Sequence, residues 1–147
     1  MLTDIKRDAV ILLDGELDKD AAIEMLVKVS GAAYGVGSWE EILSLIIERE
    51  SRLSTGIGLE VAVPHCRCGH VAGLVSGVML APRGIDYNAV DSLPVKLLFL
   101  VVSPIGDIGS HLGALSAISR AVSIEEVRLD LLGSGSADEL YEKIIAV

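Results

Sequence analysis

Residues 95–102 read Val95-Lys96-Leu97-Leu98-Phe99-Leu100-Val101-Val102, and this run decides the fold. After Lys96 every residue is apolar, with no alternation of polar and apolar positions. A strand with one face in water alternates; a strand covered on both faces reads as a continuous apolar run. Pro104 and Gly106 close the run at strand length, so it predicts a central strand with layers above and below. Working outward, residues 73–80 predict a second strong strand, ended by a Pro82-Arg83-Gly84 loop. Residues 8–13 predict a third, punctuated by Asp14-Gly15. Val61-Ala62-Val63 predicts a brief strand stopped by Pro64.

The segments between these strands carry helical spacing. Asp18 is placed to cap a helix over residues 18–33 with Ala22, Leu26 and Val29 on its inner face. Ser38-Trp39-Glu40-Glu41 reads as a capping box for a second helix to about residue 53, carrying Ile42, Leu45, Ile46 and Arg49. Residues 54–58 (Ser54-Thr55-Gly56-Ile57-Gly58) predict a loop, because two glycines so close discourage regular structure. Ser110 is the expected cap of a helix with Leu112, Leu115, Ile118 and Val122 inward and His111 in its first turn. Ser123-Ile124-Glu125-Glu126 and Ser136-Ala137-Asp138-Glu139 read as two more capping boxes, with Gly133 ending the helix between them. Helices alternating with strands covered on both faces predict a three-layer α/β/α domain, and 147 residues predict one of them.

Composition excludes several classes of function. The chain is 51% hydrophobic, which excludes disorder, and no apolar run approaches a bilayer span. Its formal charge is −9 with few aromatics, so it lacks both the phosphate-neutralising charge and the stacking platforms of a nucleic-acid binder. Cys66 and Cys68 are one residue apart, where a bridge would be strained. Met1-Leu2-Thr3-Asp4 runs straight into polar sequence with no leader, and the two features together predict the reducing cytoplasm.

Chemistry converges on His65, which follows Pro64 just past the end of a buried strand, where ligand sites of open α/β sheets lie. Three readings compete for it. His65-Cys66-Arg67-Cys68-Gly69-His70 offers four soft or borderline metal ligands within six residues. Structural zinc sites space their ligands on separate turns, and Cys66 and Cys68 would share one strand face while His65 points to the other, so no metal is expected. Cys66 attacking with His111 as base lacks an orienting group and an electropositive pocket. Phosphoryl transfer through His65 needs a nucleophile and positive charge on the equatorial oxygens. Arg49 can supply a bidentate fork, and His111, in a helix's first turn, a donor. Ser54, Thr55 and the backbone N–H groups of Gly56 and Gly58 can shape an anion pocket. Spacing alone does not bring these pieces together.

The stretch from Ser54 through Val61-Ala62-Val63-Pro64-His65-Cys66-Arg67 resembles the active-site signature of the fructose, mannitol and nitrogen-regulatory class of enzyme IIA, from the bacterial phosphoenolpyruvate-dependent phosphotransferase system. Glu48-Arg49-Glu50 is similar to the family's Arg-Glu at a helix end, and Ser110-His111-Leu112 to its second histidine and helix. The resemblance covers nearly the whole chain as one enzyme IIA domain, residues 1–147. It implies a mixed, mainly parallel sheet with helices on both sides. It also implies that His65 takes a phosphoryl group from the carrier HPr, or its nitrogen-branch paralogue, and passes it to an enzyme IIB or holds it as a regulatory signal. Arg49 would steady the phosphoryl oxygens and His111 would hydrogen-bond beside them, with no metal or organic cofactor. The alternative is an IIA-like docking module that binds a transporter or kinase without phosphotransfer. Glu60 motivates it, because a carboxylate there either points away harmlessly or repels an incoming phosphoryl group.

Overall fold

The computed structural model describes residues 4–147; the reading of Met1, Leu2 and Thr3 as a leaderless start lies outside them. A sheet of six strands is built from β1 (Val10–Leu12), β2 (Gly56–Gly58), β3 (Val61–Ala62), β4 (His65–Arg67), β5 (Val75–Ile85) and β6 (Val95–Ser103). Five helices flank it: α1 (Lys19–Ala33), α2 (Trp39–Arg52), α3 (Ile108–Ser123), α4 (Glu125–Leu132) and α5 (Ala137–Ile145). The order across the sheet is β1-β5-β6-β3-β2, with β4 also paired to β6. Three pairings (β1/β5, β3/β6, β4/β6) are parallel and two (β5/β6, β2/β3) antiparallel, so the sheet is mixed as expected.

The unalternating run at residues 95–102 is β6, paired on both edges and covered on both faces. Its even residues Leu98, Leu100 and Val102 pack into one core with Ile23, Leu26, Ile42 and Ile46 of α1 and α2. Its odd residues Leu97, Phe99 and Val101 pack into a second core with Ile118, Val122, Leu131, Leu140 and Ile144 of α3, α4 and α5. Two cores separated by one sheet are the three layers the sequence predicted. Gly77 of β5 makes the close approach of α1 possible: a Cβ there would sit 2.0 Å from Ser30 Oγ.

Local chemistry moved several element ends. Asp18 and Ser136 cap as expected, accepting from Ala21 N and Glu139 N at 2.8 and 3.0 Å. Asp107 caps α3, accepting from the N–H of Ser110, the residue expected to be the cap. Ser38 and Ser123 make no cap bond; Glu41 is engaged by His70, and Ser123 Oγ donates back to the Arg120 carbonyl. Val29 is only half buried, its place on the inner face taken by Ile23 and Val27, and Leu112 is 59% exposed. Residues 54–58 are only partly loop, since Gly56–Gly58 pairs with β3 as β2. The turn from β2 to β3 uses Leu59 and Glu60, both at positive φ (59° and 67°). Strand β5 runs on through Pro82 to Ile85, because β1 ends opposite Leu80 and leaves that edge without a partner for the missing N–H.

Candidate functional site

Strands β3 and β4 are one interrupted strand. Both pair with the same edge of β6, and the register is unchanged across the break at Val63-Pro64. His65 therefore lies inside a short strand rather than beyond the end of one. At the break the Val63 carbonyl turns away from β6 and accepts from His65 Nδ1 at 2.6 Å. A carbonyl oxygen only accepts, so Nδ1 carries the ring proton and Nε2 keeps the free lone pair.

On the other wall, His111 in the first turn of α3 is buried, and its Nδ1 lies 2.6 Å from the Oγ of buried Ser103 at the end of β6. The two imidazoles face each other, with ring centroids 5.6 Å apart and planes tilted by 57°. Burial first, then its nearness to His65 and the positive charge of Arg67, holds His111 below its usual pKa. It stays neutral near pH 7, and donates from Nε2 when the Ser103 hydroxyl gives its proton to Nδ1.

Arg49 sits near the C-terminus of α2, half buried, and gives Nη1 to the Leu53 carbonyl at 2.7 Å. It does not pair with either neighbouring glutamate: Glu48 is taken by Arg52 at 2.6 Å, and Glu50 turns inward. His65, His111, Arg49, Arg52, Arg67, Glu48, Cys66 and Ile105 line one cleft of about 490 Å³. Three arginines against one carboxylate make it locally positive on a chain whose net charge is −9. A depression of about 420 Å³ adjoins it, also bordered by Arg49 and His65, with Ser54 and Thr55 in its wall.

The four expected pocket residues divide. Ser54 and Thr55 reach the site, Thr55 with its N–H and hydroxyl on the buried Glu50 carboxylate. Gly56 and Gly58 line neither depression. The Gly56 N–H goes to Ser54 Oγ at 3.1 Å, and the absent Gly56 side chain leaves room for Ala89, whose Cβ would lie 2.7 Å from a Cβ on Gly56. Glu60 is also outside the cleft, paired with Lys96 at 3.1 Å. Both cysteines are free and buried in the α1/α2 core, and burial pushes the Cys66 thiol up to about 12, which removes it as a nucleophile near neutral pH.

The chain matches, over residues 5–146, the family described as phosphoenolpyruvate-dependent sugar phosphotransferase system, EIIA 2. It belongs to the type 2 enzyme IIA family. These are phosphocarriers, a phosphotransferase family that works through phosphohistidine. The enzyme IIA described here is 33% identical to the fructose-specific EIIA component of Haloferax volcanii, over 88% of this chain and 84% of that protein. It is 32% identical to a nitrogen regulatory protein of Pseudomonas aeruginosa, over 74% and 70%. The crystal structure of nitrogen regulatory protein IIA-Ntr from Neisseria meningitidis superposes with a TM-score of 0.83 at 27% identity, covering 92% of this chain and 93% of that one.

Sequence reasoning missed four parts of this enzyme IIA's candidate site. Arg67 had a legible signal: it is two residues beyond His65 in an extended segment, so both side chains project to one face. Ser103 ends an apolar run, and only the fold brings it to His111. Glu50 neighbours Arg49 in sequence, yet its role in holding Thr55 needs the chain reversal after α2. The Val63 carbonyl carries no side-chain signal.

Proposed function

We propose that this enzyme IIA domain accepts a phosphoryl group on His65 Nε2 from the phosphohistidine of an HPr-type carrier, in the cytoplasm. The observation that carries the reading is the Nδ1 bond to the Val63 carbonyl, which leaves Nε2 as the nucleophile in a cleft shared with Arg49, Arg67 and His111. In the transfer, the P–N bond of the donor breaks and its electron pair returns to the donor ring, while His65 Nε2 forms the new P–N bond. The His65 ring becomes cationic as it attacks, and the Val63 carbonyl stabilises that charge. The protein's remaining work is positioning and neutralising the equatorial oxygens, a task for the arginine forks and a neutral His111 donor. Ser54 and Thr55 shape the adjoining wall. The donor arrives already activated, so the reaction requires no metal or organic cofactor.

The surroundings suit a protein partner. Ile105 borders the cleft, Ile57 and Leu59 the adjoining depression, and Leu112 follows His111; all four are exposed. They form an apolar margin on which a carrier protein can pack while its phosphohistidine reaches His65. The same face serves, in turn, an enzyme IIB or a regulated transporter or kinase. No described helix is long and apolar enough to cross a membrane. The motive for a docking module without phosphotransfer is weakened by Glu60, whose carboxylate is held on Lys96.

The deciding experiment supplies phosphoenolpyruvate, enzyme I and HPr, and reads intact mass near neutral or alkaline pH, where phosphohistidine survives. The expected result is a gain of one phosphoryl group, lost in His65→Ala. A gain that persists in His65→Ala overturns the assignment. Adding enzyme IIB to the phosphorylated chain then distinguishes onward transfer, seen as loss of the added mass, from retention as a signal.

A further inference from the structure

We infer that Glu41, Cys68 and His70 form a zinc site, separate from the phosphoryl centre. Their ligand atoms, one carboxylate oxygen, one thiol sulfur and one imidazole nitrogen, all lie within 4.8 Å of one another. Zinc takes this ligand set at bond lengths of about 2.0–2.3 Å, so tetrahedral donors stand roughly 3.3–3.8 Å apart. Binding requires the three donors, now within 4.8 Å, to close to that spacing. The donors come from two parts of the chain: Glu41 from the first turn of α2, and Cys68 and His70 from the segment that follows β4. The run of ligand types at residues 65–70 is thus divided by the strand's alternation. His65 goes to the phosphoryl cleft, while Cys68, one pleat beyond Cys66 on the opposite face, meets α2.

The site is held in place from both sides. The Cys68 N–H donates to the Ser103 carbonyl at 2.9 Å, which continues the β4/β6 ladder, and its side chain is fully buried. Glu41 and His70 are exposed and already contact each other through Nδ1 of the imidazole, so a metal first meets these two from solvent and Cys68 closes the site from beneath. Thiolate and carboxylate together cancel the charge of Zn²⁺, and the thiol proton goes to solvent on binding. Three protein donors leave the fourth position to water. A bound ion ties α2, which carries Arg49, to the segment leaving β4, which carries His65 and Arg67.

The test uses the full chain, freed of metal, titrated with Zn²⁺ against a chromophoric chelator and with Co²⁺ read by absorption. The expected result is one ion per chain and a thiolate-to-cobalt charge-transfer band. Removing an outer-shell partner of a metal ligand costs ~10–100-fold in affinity, so losing a ligand costs at least that. His70→Ala and Glu41→Gln, both on exposed side chains, are each expected to weaken zinc by that factor. Cys68→Ser is expected to abolish the cobalt band, and Cys66→Ser and His65→Ala to retain it. Should Cys68→Ser fail to fold, His70→Ala still decides the matter. Less than one ion per chain at micromolar zinc, unchanged affinity in His70→Ala, or a band lost with Cys66→Ser in place of Cys68→Ser overturns the site.

Discussion

Replacing Glu50 by Ala removes a carboxylate from beneath the wall of the proposed phosphoryl site, and the structure sets the cost. The Glu50 side chain is buried at the end of α2 and accepts from the Thr55 N–H at 2.9 Å and from the Thr55 hydroxyl. Lys19 Nζ stands 3.8 Å away, and the Tyr87 hydroxyl lies 3.1 Å from Thr55 Oγ1. Losing the carboxylate strips a charged acceptor from two donors of Thr55, where hydrogen bonds to charged groups are worth about 1.5–3 kcal/mol each. It also removes the carboxylate nearest Lys19, a partly exposed ammonium that keeps its bond to the Tyr87 carbonyl at 3.3 Å, and such a pair adds about 1 kcal/mol or less. The two Thr55 bonds together set the loss at about 3–6 kcal/mol. At roughly 2–4 °C per kcal/mol for a chain of this length, the melting temperature falls by roughly 6–24 °C. Urea unfolding followed by circular dichroism measures it, with the m-value unchanged if only the folded state is affected. Glu50→Gln keeps an acceptor for the Thr55 N–H and is expected to lose less. A second substitution sharpens the test: Thr55→Val removes the stranded hydroxyl, so the Glu50→Ala/Thr55→Val pair is expected to lose less than the sum of the singles. A Glu50→Ala protein within 1 kcal/mol of wild type, or strict additivity in the pair, refutes the reasoning.

Three further outcomes are expected. Arg49→Ala and Arg67→Ala should each slow phosphoryl uptake, by up to about 10²-fold for a well-aimed donor, with unfolding curves near wild type; rapid-quench mass measurements check this. His111, held below its usual pKa, binds fewer protons folded than unfolded, so its contribution to stability is present above the unfolded value of about 6.5 and is lost as pH falls through and below it. The His111→Gln protein should accordingly lose less stability between pH 7 and pH 5, and a proton NMR titration should place the wild-type imidazole below 6.5 before phosphorylation and higher after it, when a phosphoryl anion adjoins the ring. Glu60→Gly relieves a left-handed residue that costs about 1–2 kcal/mol and gives up only an exposed pair with Lys96, worth about 1 kcal/mol or less, so a neutral to slightly stabilising change is expected in urea unfolding.

Much of the fold was legible because it rests on patterns a chain cannot hide. The run at residues 95–102 lacks alternation, and only a strand covered on both faces accepts that; two cores and three layers follow from it. The Pro64-His65 pair marks a strand break followed by an unusual side chain, and Asp18 and Ser136 announce helix starts through short-range bonds. Where local signals compete, sequence reading went astray. Ser38, Ser123 and Ser110 each had the form of a cap, but a hydroxyl caps only if the incoming backbone places it there. Asp107 captured the start of α3, and His70 captured Glu41.

What the tertiary structure alone decided is convergence. His65, Arg49 and His111 arise on β4, α2 and α3, and no periodicity relates them. They meet because β3 and β4 share an edge of β6, which brings the His65 face of β4 under the first turn of α3 and the end of α2 around the sheet edge. The proton on His65 is assigned by a backbone carbonyl freed at Val63-Pro64, a group every residue possesses and no sequence distinguishes. Glu41 joins Cys68 and His70 for the same reason. Residue types and their order determine which elements form and which faces they bury. Which atoms from distant elements share a few ångströms is set by strand register and helix placement, and the chemistry of this protein lies in those few ångströms.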